Sequence, residues 1–200
     1  MVTTPGRPFG IYIHVPFCAT RCGYCDFNTY TPAELGGANP DGWLVAVRAE
    51  LGRAVDLLGS PPEVQTVFVG GERRRCWAAI GLAGVLDAVR EHFVLAPGAE
   101  VTTEANPEST SPELFAQLRA AGYTRVSLGM QSVAPHVLAT LDRVHSPGRA
   151  LAAAREARSG RVRARQHRPH LRHAGESDDD LRGSVDAAVE GALITSRPTR

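Results

Sequence analysis

Apolar and polar positions recur along this chain with two periods, and the switches between them mark out its elements. Residues 10 to 15, GIYIHV, are β-branched and aromatic and predict a short strand. Pro16 ends it, because proline has no N–H to give a ladder. Leu44, Val47, Leu51, Val55 and Leu58 recur at helical spacing within residues 41 to 58. The compact run VQTVFVGG, from Val64, predicts a second buried strand that stops at Gly70 and Gly71. Leu82, Val85, Leu86, Val89 and Phe93 mark the next helix, and AEVTTE at 99–104 a third strand. Ser111 and Pro112 form a helix start, a side-chain cap followed by a residue suited to the first turn, and Gly122 marks the stop. RVSLGMQS is a fourth strand, followed by helices around 135–142 and 147–158. Ser177 caps a final helix at 178–190, whose first turn holds three aspartates that complement the helix dipole.

Strands alternating with helices at this spacing imply βα units around a parallel sheet, an α/β fold. Such folds carry their chemistry at the carboxyl ends of the strands. The loop after the first strand, Gly70 and Gly71, Glu104 and Gln131 all fall at such ends. Two glycines there serve a tight turn, or they let backbone approach a ligand where side chains would collide. An acid in the position of Glu104 is a solvated charge, or it pairs with a cationic or hydroxyl-rich ligand.

Three of the four cysteines fall within residues 11 to 30, IYIHVPFCATRCGYCDFNTY, as Cys18, Cys22 and Cys25 in a C-x3-C-x2-C spacing. Three thiolates on one short loop suit three irons of a [4Fe–4S] cube, leaving the fourth iron open to chelate a substrate or cosubstrate. A zinc site would want a fourth ligand, and His14 lies close to the strand for that task. A disulfide would leave one cysteine over and would suit a secreted chain. The start, MVTTPGRP, lacks the apolar run of a signal peptide, so a reduced, cytoplasmic setting is expected. The 200 residues suffice for one well-buried domain, and 43% hydrophobic with 22% charged residues is an ordinary globular composition. A net charge of +1 gives no reason to expect nucleic acid as a partner. No apolar stretch approaches the roughly 20 residues that span a bilayer, so no integral membrane segment is expected.

The cysteine loop, with Tyr24 before its last cysteine, resembles that of the radical S-adenosylmethionine (SAM) superfamily, C-x3-C-x-aromatic-C. The flanks YIHVPFC and YCDFNTY are similar to those of the oxygen-independent coproporphyrinogen III oxidase group, and within it most like the HemW-type branch of haem chaperones. The oxidases proper carry an additional cysteine just past the third, where this chain has Phe27 and Asn28 after Asp26. The resemblance implies an open (βα)6 barrel, a [4Fe–4S] cluster on Cys18, Cys22 and Cys25, and SAM across the strand ends. It implies SAM contacts from Tyr12, Tyr24, the Gly70–Gly71 turn, Glu104, Gln131 and Arg143. The chemistry implied is one-electron cleavage of SAM to a 5′-deoxyadenosyl radical. Porphyrin or haem, a haem-receiving client protein and an electron donor are the implied partners. His136 and His145 read as surface or capping residues rather than ligands.

Three patches depart from that pattern. After Gly71 the chain reads ERRRCWAAI where the family has GTPSLL, so residues 72–80 form a disrupted patch, and Cys76 inside it is not counted as a ligand. Residues 159–174 hold five arginines and three histidines where a fifth strand belongs, and the tail GALITSRPTR completes no sixth. Codons can be written for GERRRCWA that read GTPSLLG from the last base of the Gly71 codon. Others, written for RVRARQHRPHLRHA, read GFEHVSTDLIYGTP one base later. Both windows are consistent with a shifted reading frame. The expected organisation is therefore a radical SAM core over 1–158, with the cysteine loop at 16–30, and a disrupted remainder over 159–200. The barrel should be incomplete after its fourth or fifth βα unit. Five arginines are costly to bury, so the 159–174 patch is expected in solvent, with the sheet ending at its fourth strand. Leu181, Val185 and Val189 are expected as the packing face of the last helix.

Overall fold

The structure is a computed structural model that describes residues 7–18, 28–31, 34, 36, 39–71, 78–142, 146, 148–166 and 175–191. Its elements alternate in chain order: β1 (Phe9–His14), α1 (Pro40–Leu58), β2 (Val64–Gly70), α2 (Ala78–His92), β3 (Leu95–Ala105), α3 (Pro112–Ala121), β4 (Arg125–Leu128), α4 (Pro135–Thr140), α5 (Arg149–Ser159), β5 (Arg163–Gln166) and α6 (Asp178–Glu190). The five strands form one parallel sheet in the order β1-β2-β3-β4-β5, so each strand lies beside its successor in sequence. This is the expected α/β arrangement of successive βα units.

Period-two alternation splits the sheet into two unlike faces. One face supplies Ile13, Val67, Val69, Val101, Val126 and Leu128 to the core, where they meet Val47 and Leu51 of α1, Leu82, Val85, Leu86 and Val89 of α2, and Phe115 and Leu118 of α3. Along the other face the register aligns Tyr12 with Phe68, Phe68 with Thr102 and Thr102 with Arg125. Arg125 there forms an ion pair of 2.9 Å with Glu100. Ala150, Ala153, Ala154 and Ala157 are all buried, so α5 offers the sheet a face of small side chains. Arg149 at its start grips Glu156 with two guanidinium nitrogens and donates to the Thr110 carbonyl, 2.8 Å away. That fork fixes α5 to the segment leaving β3.

The helix ends follow the chemistry read from the chain. Ser111 Oγ accepts from the Leu114 amide, Gly122 closes α3 in the left-handed region, and Ser177 forms a reciprocal capping box with Asp180.

Two expectations are corrected. The sheet does not end at β4: Arg163–Gln166 pairs in parallel with it, and Val162 just before is buried. The arginines do not prevent this, because alternation separates them from the apolar positions. Val162 is buried and Ala164 packs on the core, while Arg161 and Arg163 are exposed. An edge strand needs only one protected face. The packing face of α6 also differs. Its buried residues are Ser184 and Ala188, Leu181 is half-buried, and Val185 and Val189 are exposed. Hydrogen bonds made by Ser184, described below, rotate the helix away from its apolar stripe.

Two measurements check this fold. In hydrogen exchange the amides of Arg163 and Arg165 should be protected, since Arg163 donates to the Thr124 carbonyl at 3.0 Å and bonding alternates along a parallel strand. Free-peptide exchange rates at both would remove β5 from the sheet. The second concerns acid. Hydrogen bonds from Ser177, assisted by the charge of His136, lower the pKa of Asp180. A lowered carboxylate pKa stabilises the folded helix above the unfolded value of about 3.9. That contribution is lost as pH falls through the still lower folded value. Helix α6 should therefore loosen below about pH 4, and Asp180→Asn should remove that part of the acid dependence in exchange data on residues 178–190.

Candidate functional site

The carboxyl ends of β1 to β4 come together at one edge of the sheet, and the backbone there is more tightly bound than the strands require. Past β1, the Val15 amide donates to the Gly70 carbonyl at 2.9 Å, extending the ladder by one bond. Phe17 then bridges in parallel to Tyr30. The Cys18 amide donates to the Tyr30 carbonyl at 3.0 Å, and the Tyr30 amide to the Pro16 carbonyl at 2.7 Å. These bonds close the neck of the loop that carries the three cysteines. Buried Phe17 meets Trp43 of α1 edge to face, at 6.0 Å between ring centroids, and so anchors the neck to the core. The Cys18 side chain is buried as well. Cys22, Cys25, Tyr24 and Arg143 lie outside the described residues, as do Cys76 and His145. Among the described residues, no three His, Cys, Asp or Glu side chains gather as a metal site.

His14 joins the loop to the sheet. Its Nε2 lies 3.0 Å from the Asn28 carbonyl, and its Nδ1 lies 3.0 Å from the Tyr12 hydroxyl. A carbonyl can only accept, so the neutral ring carries its proton on Nε2, and Nδ1 accepts from Tyr12. Tyr12 also stacks on Phe68, at 5.9 Å between centroids. Its phenol pKa is raised, first by desolvation and then by the negative charge of Glu104.

At the end of β2 the two glycines have no room for side chains. A Cβ on Gly70 would lie 2.7 Å from the Tyr12 hydroxyl, and one on Gly71 only 2.1 Å from the Val15 carbonyl oxygen. Gly71 also has φ of 99°, which side-chain-bearing residues rarely adopt. Its amide donates to Glu104 Oε2 at 2.9 Å. The tight-turn reading of these glycines holds in this geometry, where bare backbone packs directly against Tyr12 and Val15. It joins Tyr12, Gly70, Gly71 and Glu104 into one contiguous group.

Gln131 follows β4. It is 4% exposed, has φ of 62°, and its Oε1 is a buried acceptor without a hydrogen-bond partner. The Ser132 amide donates back to the Met130 carbonyl at 2.8 Å, closing a γ-turn about Gln131. A strained, non-glycine backbone and an orphaned buried acceptor together mark a place where a ligand would supply what the chain does not. His136 is exposed and pairs with Asp180 at 3.2 Å, in keeping with its reading as a surface residue.

Reading the chain by motif left out the Tyr12–His14–Asn28 connection and the serines around Gln131. The first had a signal: residues 12 and 14 of a strand face the same side. The second had none, because its partners lie about fifty residues apart.

A parallel sheet of successive βα units, with the neck of the cysteine-bearing loop clasped to the end of its first strand, defines an α/β protein of the open-barrel kind. The sequence matches the family described as the radical SAM superfamily over residues 12–188, and the chain belongs to it. A [4Fe–4S] cluster and SAM are the cofactors this family implies. Similar proteins include the heme chaperone HemW of Mycobacterium tuberculosis (strain ATCC 25618 / H37Rv), 65% identical over 94% of this chain and 48% of that protein. The heme chaperone HemW of Escherichia coli (strain K12) is 36% identical, over 78% of this chain and 40% of its own length. The mitochondrial radical S-adenosyl methionine domain-containing protein 1 of Mus musculus is 37% identical, over 74% of this chain and 33% of that protein. The chain thus spans less than half the length of these relatives. In fold it is similar to coproporphyrinogen III oxidase (HemN) from Escherichia coli, with a TM-score of 0.76 over 94% of this chain and 43% of that one at 21% identity. No helix among the described residues is long and apolar enough to cross a membrane.

The tight junction at Gly71 yields a stability test. Gly71→Ala should lower the free energy of unfolding by at least about 2 kcal/mol, since strained φ and a backbone collision act together. Glu104→Gln retains an acceptor for the Gly71 amide and should cost under about 1 kcal/mol. Urea unfolding measures both, and an unperturbed Gly71→Ala would show that the junction opens without cost.

Proposed function

We propose that this chain is the radical SAM core of a HemW-type haem chaperone. In this reading residues 1–158 carry the cofactors, and a client protein receives haem. The observation that carries it is the C-x3-C-x2-C loop clasped at its neck to the carboxyl end of β1, beside a junction built for close approach. The 65% identity to a heme chaperone supports the particular branch. So does the sequence Phe27-Asn28, which lacks the additional cysteine of the oxidases.

The residues fit the implied cofactors. Cys18, Cys22 and Cys25 would hold three irons, the donor set that leaves one iron open. Bare backbone at Gly70 and Gly71, packed against Tyr12 and Val15 where a Cβ would collide, would serve as a cradle, and Glu104 places a carboxylate beside it. Gln131 adds a buried acceptor without a partner. Carboxylate and amide oxygens suit a ligand that brings ammonium and hydroxyl donors, as SAM does with its methionine and ribose. Tyr12 would line the same cradle, held by His14, and Tyr24 and Arg143 would complete the contacts. When both cofactors are bound, the reduced cluster supplies the electron that cleaves SAM. The chain's part is to orient SAM, to place Glu104 and Gln131 against its donors, and to keep the cysteine loop in register with the cradle.

One observation favours a second reading, that of a remnant which keeps the fold and has lost competence. Residues 72–77 read ERRRCW where the family has GTPSLL. A carboxylate and three guanidinium groups directly after Gly71 would crowd the cradle and compete for the charged ends of SAM.

Anaerobic reconstitution tests the first reading. The chain should take up about four irons, and the reduced EPR signal should change when SAM is added. Cys18→Ala, Cys22→Ala and Cys25→Ala should each lose the cluster, whereas Cys76→Ala should keep it; a full cluster in Cys22→Ala would sink the assignment. Haem should shift its Soret band on addition to the protein, and coproporphyrinogen III should not be decarboxylated. Cluster uptake without any response to SAM would select the remnant.

A further inference from the structure

The turn at Gln131 is held from outside its own strand. Ser184, on the second turn of α6, is 1% exposed and reaches across 52 residues of sequence to Ser132, which is fully buried. The donors and acceptors can be assigned completely. Ser184 Oγ–H donates to the Asp180 carbonyl at 2.9 Å, one turn back along its helix. Its oxygen then accepts the Val133 amide at 3.1 Å, and the Ser132 hydroxyl lies 3.2 Å away as the remaining donor. Ser132 Oγ in turn accepts the Ala134 amide at 3.1 Å. Every member of this chain is satisfied, and all its bonds except the one to Asp180 fall on the residues directly after Gln131. A residue at positive φ persists only where its surroundings over-determine it, and this network does so.

We propose that Ser184 is a positioning residue for the cofactor site: through Ser132 and Val133 it holds Gln131 in the strained turn that presents it at the carboxyl end of β4. The proposal rests on the reading of Gln131 as a SAM contact. It explains why α6 turns a serine to the loop after β4 and leaves Val185 and Val189 in solvent. A helix docked only for hydrophobic burial would rotate the other way. It also makes ordering of α6 and occupancy of the site mutually dependent, because each favours the same turn.

The experiment is SAM titration of the anaerobically reconstituted chain by calorimetry, together with hydrogen exchange. Ser184→Ala should weaken SAM about fivefold, the effect of losing one buried hydrogen bond, with iron content unchanged. Ser184→Thr keeps the hydroxyl and should restore affinity, and Ser132→Ala should reproduce the loss by cutting the network at its other end. In a Gln131→Ala background, Ser184→Ala should cost nothing further. Unchanged affinity in both serine variants, or the same fivefold loss without Gln131, would overturn the proposal and leave Ser184 a packing residue. If the parent chain binds no SAM, the reading of the site fails, and exchange decides the positioning claim alone. Faster exchange confined to the amides of Val133 and Ala134 in Ser184→Ala supports it, and exchange equal to the parent's overturns it.

Discussion

The site depends on the closeness of β1 and β2 where they end. Beyond His14 and Gly70 the two chains are still bonded, Val15 amide to Gly70 carbonyl, and a side chain at Gly71 would strike the Val15 backbone. This contact does two things at once. It holds the neck of the cysteine loop, whose first cysteine lies three residues past Val15, at a fixed place on the sheet. It also directs the Gly71 amide at Glu104 of the next strand in sequence, so that β3 joins the same junction. A parallel sheet usually ends in loops that diverge. Here the first three ends are tied together before any loop begins.

From that junction outward the constraints weaken with distance along the sheet. Tyr12 and His14 are braced by Phe68 and by the Asn28 carbonyl, both within one strand of the junction. Gln131 lies at the end of β4 and has no such neighbour, and its turn is braced by a helix from the far end of the chain. The site is therefore held by two independent supports, one sheet-borne and one helix-borne. The latter follows the arginine- and histidine-rich 159–174 patch.

Most of the fold was legible because the strands carry runs such as VQTVFVGG and the helix starts carry their own caps. The fifth strand was misread because its arginines were counted rather than placed. In RVRARQ every second residue is arginine, and the alternation that makes a strand leaves Arg161 and Arg163 exposed while Val162 is buried. The face of α6 was misread for the opposite reason. Val185 and Val189 satisfy helical spacing, but two buried serines fix the rotation, and hydrogen bonds between residues 132 and 184 leave no periodic trace. The glycines and Glu104 were legible as a group because topology brings strand ends together whatever the side chains do. The tie through His14 could have been read from strand parity.

The exposed arginines at the start of β5 and just before it have a further consequence. An outermost strand offers a row of unbonded N–H and C=O groups to any other sheet edge it meets. Arg161 and Arg163 flank that row with like charge, so two copies approaching edge to edge meet guanidinium against guanidinium before their backbones can bond. The repulsion is electrostatic and reaches only about 8 Å at physiological ionic strength. Along the described residues this edge is thus guarded by charge that salt can screen.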